Sequence, residues 1–149
     1  MWIAFVFVSL MSVLTGLSME QLARVETQRH AAIEHADQES LGVLLSYASK
    51  YVTANPGASG TIPLTALGMP NWYQALPGAG VYVQVPKVIY AYIQIPYGPE
   101  ASRLVAAMTI TGFVAGLARN GSLYSTAGQI LASAPTSIPT NAVTVRYPQ

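Results

Sequence analysis

The side chains best suited to chemistry crowd into one short stretch, HAAIEHADQE. It holds both histidines of the chain, His30 and His35, and three of its six acids, Glu34, Asp37 and Glu39. On a helix, His30 with Glu34 and His35 with Glu39 stand four apart, the spacing at which side chains share a face and a metal ion is the first ligand to consider. The pattern does not fit one. Zinc hydrolases carry H-E-x-x-H or H-x-x-E-H, whereas three residues separate His30 from Glu34. Glu34 and His35 are adjacent and point about 100° apart, so the four groups do not converge. The stretch reads as a solvated helix face, with no metal site and no cofactor. Two histidines on such a face would make assembly pH-sensitive if they met a partner.

Elsewhere the means of catalysis are missing. The absence of cysteine removes thiolate nucleophiles, thiolate metal sites and disulfides. No G-x-S-x-G elbow, Walker sequence or G-x-G-x-x-G occurs. After Ser40 the only acid is Glu100, so a carboxylate pair cannot form there. A serine of that region has no histidine near it in sequence to act as base. These absences point to a protein without catalytic residues. A net charge of +1 and the lack of any basic block likewise exclude the electrostatic footprint of a nucleic-acid binder.

What remains is surface for contact. Nine tyrosines against three phenylalanines is a bias toward rings with a polar tip, which interfaces favour. Trp72 and Tyr73, in a proline-broken loop layer, and Tyr90, Tyr92 and Tyr97, along one strand and its exit, are the candidate partner contacts.

These residues depend on three zones of the chain. Residues 2–19 carry no charge and no proline, and as a helix they would span about 27 Å, near the thickness of a bilayer core. They predict a membrane anchor presenting Trp2, Phe5, Phe7, Leu10, Val13, Leu14 and Leu17 to lipid. A cleaved secretion signal is the alternative, although no basic residue precedes the apolar run. Residues 20–53 predict a helical stem. Its second half repeats Leu41, Leu44, Leu45, Ala48 and Val52 at helical spacing, the mark of a face packed on a body. ANPGASG then stops the helix.

Residues 54–149 predict a small α+β body. VYVQV and VIYAYIQI alternate with period two and form a hairpin around Pro86 and Lys87. PEASRLVAAM starts with proline and an early acid and predicts a short helix. Asn120 and Gly121, between two apolar runs, predict a tight hairpin turn. NAVTVRYPQ supplies a last strand. The expected fold is thus α+β: an N-terminal transmembrane helix continuing into a long amphipathic helix, then a small antiparallel sheet with one short helix.

The uncharged start Met1–Met19, the stretch ARNGSLYSTAG (Ala118–Gly128) and the ending SIPTNAVTVRYPQ (Ser137–Gln149), together with the length, resemble the PilM family of type IVB thin-pilus biogenesis proteins of conjugative plasmids. The resemblance implies a non-catalytic, single-pass component of the bacterial inner membrane. It would belong to the pilin transport apparatus or the pilus basal body, with its body in the periplasm. Other pilus assembly proteins or pilin would be its partners. Arg24 and Arg29 pull the other way, since the positive-inside rule would hold them in the cytoplasm. Two further readings share the outline: a minor pilin or pseudopilin-like subunit, and a secreted, signal-cleaved binding module using Trp72 and Tyr73.

Overall fold

The computed structural model describes residues 28, 32–33, 35–85, 88–96, 98–110 and 113–148. The chain divides into two compact units, Met1–His35 and Ala36–Gln149, and the second contains all the described strands.

Helix α1 (35–54) gives all but its first residue to this unit. Leu41, Leu44, Leu45, Ala48 and Val52 fall on its inward face and are buried, as their spacing requires. The helix ends where Pro56 cannot continue it, and Asn55 closes the last turn. The Asn55 backbone N–H and side-chain amide both donate to the Tyr51 carbonyl, at 2.8 and 3.0 Å. Helix α2 (Pro99–Ile110) begins with proline and Glu100 and buries Ala101, Leu104, Val105 and Met108.

Seven strands follow the chain as β1 (Gly60–Ile62), β2 (Gly80–Gln84), β3 (Val88–Ile93), β4 (Val114–Arg119), β5 (Ser122–Tyr124), β6 (Ile130–Ser133) and β7 (Val143–Pro148). They form one antiparallel sheet in the order β1-β2-β3-β7-β4-β5-β6. β7 therefore inserts between two hairpins that are far apart in sequence, with α2 bridging β3 and β4. Its central place explains its composition: Val143, Thr144 and Val145 are all fully buried.

Alternation sorts the two faces. Val81, Val83, Ile89, Ala91, Ile93, Val143 and Val145 meet both helices in the main core. The opposite face carries Tyr82, Tyr90, Thr144 and Arg146, with Tyr82 opposite Tyr90 and Tyr90 opposite Arg146 across successive strands. A second, smaller core of Tyr90, Ala118, Leu123, Ile138 and Ala142 lies there. The sheet curls over it: β6 is the far edge strand, yet its Ser133 carbonyl lies 3.2 Å from the Tyr90 hydroxyl on β3.

The expected fold is corrected on two counts. The sheet is not small: β1 and β6 join the five expected strands. Neither announces itself, because β1 is three residues long, and β6 is a short edge strand mostly exposed on both faces, so it shows no alternation. β6 also pairs through a register shift at Leu123/Tyr124. Second, no helix among the described residues is long and apolar enough to cross a membrane. The expected anchor, Trp2, Phe5, Phe7, Leu10, Val13, Leu14 and Leu17, lies outside the described residues. Among the described residues, two helices on a seven-stranded sheet stand in place of the expected transmembrane helix, long amphipathic helix and small sheet. The single-pass placement in the inner membrane is set aside on the same finding.

Candidate functional site

The five expected contact residues do not form one patch. Tyr90 is 1% exposed. Its hydroxyl proton is shared between the Gln84 amide oxygen at 3.0 Å and the Ser133 carbonyl at 3.2 Å, so it is a structural tie, closed to a partner. Tyr92 is half-buried and opposite Gly80, and a Cβ at Gly80 would overlap the Tyr92 hydroxyl. Burial pushes this phenol above its ordinary value. Tyr97 lies outside the described residues.

Trp72 and Tyr73 do stand together, ring edge to ring face, with centroids 6.5 Å apart. Tyr73 is tied down, since Ser40 on α1 donates a hydrogen bond of 3.2 Å to its hydroxyl. Trp72 is 71% exposed, a large apolar area for a folded body to leave in water. It forms the wall of a groove of about 520 Å³ whose floor is the outer face of α1, from Glu39 through Gly42 and Val43 to Ser46.

Gly42 and Ser46 also line a second groove of about 390 Å³ on the other flank of the helix, where Phe113, Tyr147 and Lys50 form the wall. Phe113 and Tyr147 pack edge to face at 6.0 Å. Lys50 lies 4.8 Å over the Tyr47 ring. The outer face of α1 is thus a low ridge between two aromatic walls. A Cβ added at Gly42 would meet nothing within 4 Å, so the space above the ridge is empty.

The polar stretch around the start of α1 is described only in part. His35 and Glu39 are exposed, His30 and Glu34 lie outside the described residues, and no three potential ligands gather among the described residues. Asp37 differs from its neighbours. Partial burial, and secondarily the Glu100 carboxylate at the start of α2, push its carboxyl above the ordinary range. Asn120 and Gly121 make the β4–β5 turn with φ of 46° and 75°, the two positive values a type I′ hairpin needs.

Sequence reasoning names Trp72 and Tyr73 as candidates and passes over the ridge beneath them. The signal was present: Glu39, Val43, Ser46 and Lys50 recur at helical spacing opposite the buried leucines, and none is a large apolar residue.

The PilM family model matches residues 6–145. The chain belongs to the PilM family. Among solved structures, an Escherichia coli B7A protein named PilM is 15% identical over 78% of this chain and 93% of its own, with a TM-score of 0.55, and shares the fold. A Pseudomonas aeruginosa 2192 protein named PilM is 32% identical over 74% of this chain and 92% of its own, with a TM-score of 0.41. No curated protein matches. Membership of the PilM family connects the chain with pilus biogenesis.

Proposed function

We propose that the protein is a non-catalytic component of type IV thin-pilus assembly, in the pilin transport apparatus or the pilus basal body, and that it works by protein contact. The family match over residues 6–145 carries the pilus context. Support for contact comes from Trp72, which leaves 71% of its surface in water beside an empty groove. An exposed aromatic at the rim of a groove gives a partner apolar area to cover, and its truncation removes that area without disturbing the core.

The test is genetic. Deleting the gene abolishes thin pili, and a plasmid copy restores them. A Trp72→Ala copy, expressed at the same level and melting within about 2 °C of the parent, does not restore them. Pili that persist without the gene overturn the pilus role. Full restoration by Trp72→Ala overturns the contact surface.

A further inference from the structure

We infer that the outer face of α1 is a self-association surface, covered by α1 of a second copy of this chain running antiparallel. This rests on the contact reading above and names its occupant.

The argument starts from charge. Among the described residues lining the two grooves, one acid and one base occur, Glu39 and Lys50. They stand at opposite ends of the same face. Eleven residues at about 1.5 Å each separate them by roughly 16 Å along the axis. A surface with one sign at each end is complementary to itself when turned by a two-fold rotation, which makes an isologous contact. In that arrangement Glu39 of each copy meets Lys50 of the other, and both pairs form at once. A parallel arrangement would set like charges together.

The midpoint between the charges falls among Gly42, Val43 and Ser46, where the face is lowest. Two helices approach most closely where their side chains are small, so the crossing point lands where the ridge permits it. Gly42 has open space above it, and Ser46 is exposed. Trp72 stands at the rim. Antiparallel packing sets it beside the C-terminal half of the other copy's helix, where the ring loses its contact with water.

The absence of cysteine makes the test direct. Ser46→Cys in the full chain places one thiol next to the two-fold axis, and Thr65→Cys, on the exposed 3₁₀ turn Leu64–Leu67, serves as the off-face control. Both are expressed in cells lacking all other pilus proteins and oxidised mildly. Ser46→Cys yields a disulfide-linked dimer and Thr65→Cys does not. Adding Glu39→Lys or Lys50→Glu lowers the cross-linked fraction about fivefold, since two attractions become two repulsions. Combining both changes restores it, because the pairs re-form with signs exchanged. No cross-link at Ser46→Cys, equal linking at the control, or failure of the double exchange to restore the dimer overturns the inference. Trp72→Ala that abolishes piliation while Ser46→Cys gives no cross-link assigns the face to a different protein and leaves the pilus role standing.

Discussion

Two residues show how local chemistry constrains this body. Asp37 is held partly out of water and faces Glu100, so its carboxyl takes up a proton more readily folded than unfolded. Its contribution to stability is therefore most favourable below the ordinary carboxylate range, about pH 4, and is lost as pH rises through the elevated value. Asp37→Asn removes that penalty. Urea titrations will find the variant more stable than the parent at pH 7 by a few tenths of a kcal/mol, with the difference vanishing toward pH 3. Gly116 is constrained by space instead. A Cβ there would lie 2.7 Å from the Tyr124 carbonyl oxygen on β5, and backbone cannot swing aside as a long side chain can. Gly116→Ala forces β4 and β5 apart and costs about 1–3 kcal/mol in the same titration, whereas Gly42→Ala, inside α1 and on the open ridge, raises stability by about 0.5–1 kcal/mol.

The elements differ in how plainly the sequence declares them. Helix α2, the β2–β3 and β4–β5 hairpins and the inward face of α1 follow from periodicity and turn chemistry, because each is specified by residues that are neighbours in the chain. The edge strands and the second core depend on residues far apart. Tyr90 is the example: in the sequence it is one of an alternating set with Tyr92, and nothing local says that β6 will arrive above it. Its burial is a consequence of the curled sheet, which alternation alone does not show. The ridge on α1 was hidden for a related reason, since small residues on an outward face mean little until aromatic walls stand on either side. Tyr90→Phe tests the curl. It leaves the ring in place but removes the proton bridging Gln84 and Ser133, which costs about 1–2 kcal/mol and hastens hydrogen exchange in β6 more than in β2.

At the scale of the molecule, the decisive feature is the insertion of β7 between β3 and β4. It pairs with β3 over six residues and β4 over four, and without it the sheet falls into two separate pieces. A chain stopped after Ala142 will give far-UV circular dichroism without a cooperative thermal transition, since neither piece retains a complete core. The same insertion sets an order of events during synthesis. β7 leaves the ribosome after every strand it must join, so the nascent body waits with two unpaired strand edges exposed until it arrives. The wait ends in a long-range step, which is slow by its topology. During it the open edges of β3 and β4 are where a chaperone would bind, and where two nascent chains would tangle if none did.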